Sequence, residues 1–171
     1  DLWNNLGVAQ LRLGRCDEAL SSFQKASELN KTDISARINC AQASSCLGNI
    51  TEAISYLQEA VSLDPNNHQL WRNLGEFYQD TGKYDGSLSS YMNASRLDPN
   101  DSDLTHKIGE ISFQLGKYDQ AIAVYSDLVK KNPDDEIGWY NLGINYEADL
   151  QYGKAIEAYN QTVKLNSSFY K

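Results

Sequence analysis

Asn5, Asn39, Asn73 and Asn141 fall in one register, spaced by multiples of 34 residues, and Lys107 holds the fourth place of the same row. A primary amide donates and accepts hydrogen bonds at once, so a row of amides can pair with the N–H and C=O groups of an extended peptide. Inside a helix Asn is a poor choice, because its side chain competes for the backbone, and its recurrence at a fixed period asks for a reason. The plainer alternative is local: each Asn bonds between adjacent helices and meets no ligand. Other chemistry is not assembled. His68 and His106 are the only histidines, and neither stands at a metal-ligating spacing from Cys, His or carboxylate. No phosphate-cradling glycine loop and no nucleophile elbow is present. No catalytic residue, metal or cofactor is expected.

The row belongs to a repeat that runs through the whole chain. Trp3, Trp71 and Trp139 open the phrases WNNLG, WRNLG and WYNLG, with the degenerate copies INCA and KIGE between them. Gly14, Gly48, Gly82 and Gly116 keep the same step, and Leu150 stands at their fifth place. Ala19, Ala53, Ser87, Ala121 and Ala155 form a small-residue series, Phe23, Leu57, Tyr91, Tyr125 and Tyr159 a larger one, and Pro65, Pro99 and Pro133 close three units. Apolar residues recur at three and four, as in Leu6 to Leu13 and Ala19 to Leu29, which is helical periodicity. Each unit is therefore a pair of helices, A and B. Asp17, Thr51, Asp85 and Asp119 are expected to cap helix B, with Gly153 a weaker cap in the fifth unit. The glycines suit the turn before it. The prolines end helix B by turning the preceding residue away from helical backbone. The Trp is expected to pack toward neighbouring units.

These marks resemble the tetratricopeptide-repeat family in five tandem units, about 1–33, 34–67, 68–101, 102–135 and 136–169. The resemblance implies an all-α fold, a right-handed solenoid of antiparallel helix pairs, with residues 1–171 as one array. No unit buries its apolar face without its neighbours. Asp1 stands inside the first helix A, and Phe169, Tyr170 and Lys171 open a further unit, so a fragment of a longer protein is expected.

In this family helix A lines the inner face, and the Asn row is similar to the asparagine ladder of O-linked N-acetylglucosamine transferases, which holds peptides by their backbone. Lys107 interrupts the row and is suited to an acidic side chain. Two further rows face inward: Asn4, Ile38, Arg72, His106 and Tyr140, and Val8, Gln42, Glu76, Glu110 and Ile144. Arg72 with Glu76, and His106 with Glu110, are i,i+4 pairs that offset each other. The cation-rich clamp for chaperone C-termini is thus not reproduced. The expected peptide-binding set is Asn5, Asn39, Asn73, Lys107, Asn141, Arg72 and Tyr140. The expected function is a non-catalytic scaffold that binds an extended segment of a partner protein. The alternatives are a self-assembling element stacking through its ends, as a homo-oligomer, and the substrate-recruiting arm of a larger enzyme such as a glycosyltransferase.

Composition narrows the partners. Fifteen Lys and Arg against 23 Asp and Glu give a net charge of −8, spread evenly along the chain. Nucleic acid, which needs clustered cations, is not an expected ligand. No apolar run is long enough to cross a membrane. Cys16, Cys40 and Cys46 form no CxxC, and Cys16 and Cys40 stand where other units place apolar residues, so they read as small packing residues in a reducing, cytoplasmic setting. Against this, Asn30, Asn49, Asn93, Asn100, Asn160 and Asn166 each begin an N-x-S/T triplet, which would matter in an exported protein.

Overall fold

The computed structural model describes residues 2–166; the expectations placed on Asp1, Phe169, Tyr170 and Lys171 lie outside that range. Among the described residues there are ten helices and no strand: α1 (Leu2–Arg12), α2 (Cys16–Leu29), α3 (Ile34–Cys46), α4 (Ile50–Leu63), α5 (His68–Asp80), α6 (Tyr84–Leu97), α7 (Ser102–Gln114), α8 (Tyr118–Lys131), α9 (Glu136–Ala148) and α10 (Tyr152–Asn166). The fold is all-α.

The helix starts obey a rule different from the expected one. Asp33, Asn67, Asp101 and Asp135 cap α3, α5, α7 and α9, their side-chain oxygens accepting from the backbone N–H of Ala36, Gln69, Asp103 with Leu104, and Gly138. Asp17, Thr51 and Asp119 are not caps. They are the second residues of their helices, and the preceding Arg15, Asn49 and Lys117 make no side-chain cap bond. The glycine turn uses its own backbone instead: Asn49 N–H bonds Ser44 O at 2.8 Å and Gly48 N–H bonds Ser45 O at 2.9 Å. The helix end therefore closes without a side chain. Asp17, Asp85 and Asp119 place negative charge in the first turn, where the helix dipole favours it.

That turn requires left-handed backbone. Gly14, Gly48, Gly82 and Gly116 have φ between 69° and 77°, and Leu150 adopts φ 59° at the equivalent place. Helices α4, α6 and α8 stop two residues short of Pro65, Pro99 and Pro133. The indole N–H of Trp71 and of Trp139 donates to Pro65 O and Pro133 O, at 2.9 Å each, so these rings tie down the turn ahead of their own helix.

The chain forms two compact units, residues 1–83 and 84–171. In the first, Ala19, Phe23, Cys40 and Ala43 pack with Val8 and Leu11, and a second cluster gathers Ala53, Leu57, Leu70 and Leu74. Arg37 joins three helices there, bonding Ser27 Oγ and Lys31 O and pairing with Glu59 at 3.1 Å. Cys16 and Cys46 are joined by a disulfide with Cα atoms 6.0 Å apart, and Cys40 is a buried free thiol. The reading of Cys16 as an unbridged packing residue is thereby corrected. Antiparallel packing brings the first residue of α2 beside the last of α3, which a spacing rule for CxxC pairs does not see. In the second unit Tyr125, Leu128, Val129, Leu142 and Ala158 form the core with Trp139 and Tyr146 around it.

Glycine sets the approach of the helices in the pairs α1–α2, α7–α8 and α9–α10. A Cβ on Gly7, Gly109 or Gly143 would sit 2.5, 2.3 or 2.5 Å from the rings of Phe23, Tyr125 or Tyr159. Each ring packs against bare backbone, which draws helix B onto helix A.

Candidate functional site

In the first unit Asn5, Asn39 and Asn73 lie on α1, α3 and α5. Asn39 Nδ2 donates to Asn4 Oδ1 at 2.8 Å, and Asn73 Oδ1 accepts from Gln69 Nε2 at 3.0 Å. Asn39 thus makes the helix-to-helix bond of the plainer alternative, while Asn5 stays exposed. Arg72 pairs with Glu76 at 3.2 Å. A groove of about 390 Å³ lies over α3 and α5, lined by Ile38, Gln42, Asn73, Glu76 and Phe77 among others. Of the expected binding set in this unit, the groove takes in Asn73, with members of both inward-facing rows beside it.

In the second unit Lys107 lies on α7, and Tyr140 and Asn141 on α9. A groove of about 540 Å³ runs between these helices, lined by Asp103, His106, Lys107, Gly109, Glu110, Phe113, Tyr125, Ile137, Asn141, Ile144 and Asn145. It brings together Lys107, Asn141, His106, Glu110 and Ile144 from the three expected rows. Tyr140 is not among its lining residues; it is half exposed and tilts against the Tyr159 ring with centroids 6.1 Å apart.

Electrostatics in this groove depart from the expectation at one pair. His106 Nε2 meets Asp135 Oδ2 at 3.2 Å, so its partner is the cap of α9 and not Glu110. Asp135 is within reach because it bonds Gly138 N–H with its other oxygen, at 2.7 Å. The Tyr125 hydroxyl donates to His106 O at 3.2 Å, and burial raises the phenol pKa, with the charges of Glu110 and Asp135 adding to the rise. The phenol of Tyr159, bonded to Glu147 at 2.7 Å, is pushed up to about 12 by burial and then by that carboxylate. Both shifts favour the neutral phenol, which donates to His106 O in Tyr125 and to Glu147 in Tyr159.

Asn145 is a lining residue that the repeat register did not flag for binding, as are Asp103, Phe113 and Ile137. It is 2 % exposed, donates Nδ2 to Asn141 O at 2.7 Å, and leaves Oδ1 buried without a partner. Its signal is legible afterwards, since the same place holds Ala9, Ala43, Phe77 and Ile111 in the other units.

Among the described residues no cluster of three or more His, Cys, Asp or Glu is arranged to hold a metal ion, and no helix is long and apolar enough to cross a membrane. Tetratricopeptide-repeat models match residues 1–33 and 47–90, and a TPR repeat model matches residues 109–149. The fold is similar to the crystal structure of MamA, with 17% identity and TM-score 0.77 over 97% of this chain and 91% of that one. It is also similar to YrrB, described as a TPR protein with an unusual peptide-binding site, with 20% identity and TM-score 0.73 over 95% of this chain and 84% of that one. Among curated proteins, none matches the chain by sequence.

Proposed function

The chain is a tetratricopeptide-repeat protein, and from that premise we propose that it is a non-catalytic interaction module holding an extended peptide segment of a partner protein against its A helices. What supports this most is that equivalent repeat positions line a groove in each unit: Ile38, Gln42, Asn73 and Glu76 in one, His106, Glu110, Asn141 and Ile144 in the other. Amides in such a groove offer a peptide backbone both donor and acceptor. Asn5, Asn73, Lys107 and Asn141 are the proposed contacts, with Arg72 held at the rim by Glu76 and Tyr140 supplying an exposed ring. Asn39, tied to Asn4, contributes to the arrangement of the row. The likeness to YrrB adds a precedent for peptide binding on this fold.

The test is capture of partners from lysate of the source cells on the wild-type chain and on a chain with Asn5, Asn39, Asn73 and Asn141 all changed to Ala, with circular dichroism confirming equal helix content. Proteins held by the wild type and lost by the variant are expected. Identical captures would refute the reading.

A second reading, self-association, is favoured by the exposed apolar side chains of α1 and α10, Leu2, Trp3, Leu6, Ile156 and Val163. Sedimentation mass that rises with concentration, and is indifferent to the Asn changes, is its expected signature. The Cys16–Cys46 disulfide bears on the compartment. Disulfides persist where conditions are oxidising, so the bridge weighs toward export and against the cytoplasmic expectation. Alkylation of free thiols in intact source cells is expected to label Cys40 after unfolding but neither Cys16 nor Cys46.

A further inference from the structure

Asn145 is a polar residue at an apolar place. The equivalent positions carry Ala9, Ala43, Phe77 and Ile111, and a buried amide oxygen without a hydrogen bond destabilises the folded chain. Its orientation is set by chemistry. Nδ2 donates to the Asn141 carbonyl, and turning the amide over would set two oxygens against each other, so Oδ1 is the end left without a partner. A second unpartnered polar atom belongs to a residue of the same groove. His106 Nε2 is taken up by Asp135, and His106 Nδ1 is buried and unpartnered, an acceptor in the neutral ring with the proton on Nε2 and a donor in the charged one. A ligand that meets Asn145 Oδ1 must donate a hydrogen bond, which disfavours carboxylates and phosphates at that point. Phe113 and Ile137, both exposed, give the groove an apolar side. Lys107 set against Asp103 and Glu110 leaves no excess of cations, which suits an uncharged donor.

We infer that the groove between α7 and α9 seats an extended peptide through one backbone N–H donated to Asn145 Oδ1, which the entering peptide uncovers by shifting the side chains over it, with the adjoining apolar side chain of that peptide against Phe113, Ile137 and Ile144. This rests on the peptide-binding reading and assigns its specificity in the second unit to a residue outside the Asn row. Asn145 gives up stability in the free chain and recovers it when the donor arrives.

The experiment pans a phage library of short random peptides on the whole chain, then titrates the strongest peptide calorimetrically into wild type and Asn145→Ile, the residue that position 111 carries. A scan of the same peptide with each backbone nitrogen methylated in turn follows. The expected result is about a tenfold or greater loss of affinity in Asn145→Ile, with a melting temperature no lower than wild type. One N-methyl position is expected to cause a like loss on wild type and no further loss on the variant. Equal affinities, or a loss that follows a lysine or arginine side chain of the peptide and no N-methyl position, would overturn the inference while leaving peptide binding standing. A library that yields no peptide for wild type would overturn both. Should Asn145→Ile fail to fold, the N-methyl scan on wild type decides alone, a scan without a sensitive position counting against the inference.

Discussion

Gly109→Ala puts the packing argument at risk in a single atom. The added Cβ would lie 2.3 Å from Tyr125 Cε2, 2.4 Å from Cζ and 2.8 Å from the hydroxyl. Tyr125 is 2 % exposed and its hydroxyl is bonded to His106 O at 3.2 Å, so the ring can retreat only toward the groove it lines, at the expense of that bond. Overpacking of this kind costs about 1–3 kcal/mol, and displacing the phenol from its carbonyl adds about 1–3 kcal/mol if the donor stays buried. Alanine returns about 1 kcal/mol through helix propensity. The balance is a destabilisation of about 1–5 kcal/mol, with its centre at about 3 kcal/mol. Gly153→Ala is the matched control, because nothing lies within 4 Å of its added Cβ; the same propensity gain then stands unopposed, at about 0.5–1 kcal/mol of stabilisation. Urea denaturation followed by far-ultraviolet circular dichroism reads both variants. Amide hydrogen exchange in α7 and α8 should show whether the loss is confined to their pairing, as expected in a repeat protein whose parts open separately. Equal midpoints for the two variants, or a Gly109→Ala chain as stable as wild type, would refute the claim that bare backbone at Gly109 sets the spacing of α7 and α8.

Three other outcomes are expected. Leu150→Gly should stabilise the chain by about 1 kcal/mol, since Leu150 holds φ 59° where the other turns have Gly and the left-handed region costs a branched side chain about 1–2 kcal/mol; a melting temperature unchanged or lowered would count against it. Reduction of the Cys16–Cys46 bridge, 30 residues apart, should cost about 3–4 kcal/mol by loop entropy, and Cys46→Ser should melt alike with and without reductant; three titratable thiols in the unfolded, unreduced chain would show that no bridge forms. Burial pushes the Cys40 thiol up from 9.0 to about 12, against the pull of Arg37. Below pH 9 both states are protonated, and above it the unfolded chain ionises first, so stability is lost as pH climbs from 9 toward 12. The slope of stability between pH 8 and 10 should flatten in Cys40→Ala, and identical slopes would contradict a buried neutral thiol.

Much of this architecture could be read from residue types because the repeat states each rule several times. The glycine series marked four left-handed turns, and the small and aromatic series marked the contact between paired helices. The caps were misread for a physical reason. An Asp shortly after a Gly turn looks like a cap, yet the turn already closes through backbone bonds, and the side-chain acceptors are needed where Asp33, Asn67, Asp101 and Asp135 leave a loop. The disulfide and the His106–Asp135 pair were illegible from local spacing, since both depend on which helices lie side by side in the fold.

The candidate site followed the opposite logic. Periodicity pointed to the Asn row, but a residue that obeys the repeat can be explained by the repeat, as the Asn39–Asn4 bond illustrates. The informative positions are those that break register at a cost the fold itself does not offset. Leu150 breaks it at an exposed turn, where the cost is backbone strain, and it lines neither of the two grooves described. Lys107 breaks it on a groove wall, where a cation stays solvated at little cost. Asn145 breaks it at a buried apolar place beside the same groove and leaves an acceptor unmet. Of the three, only the last leaves a deficit that a donor entering the groove would relieve, and for that reason binding in the second unit is argued from Asn145 in preference to the more regular row.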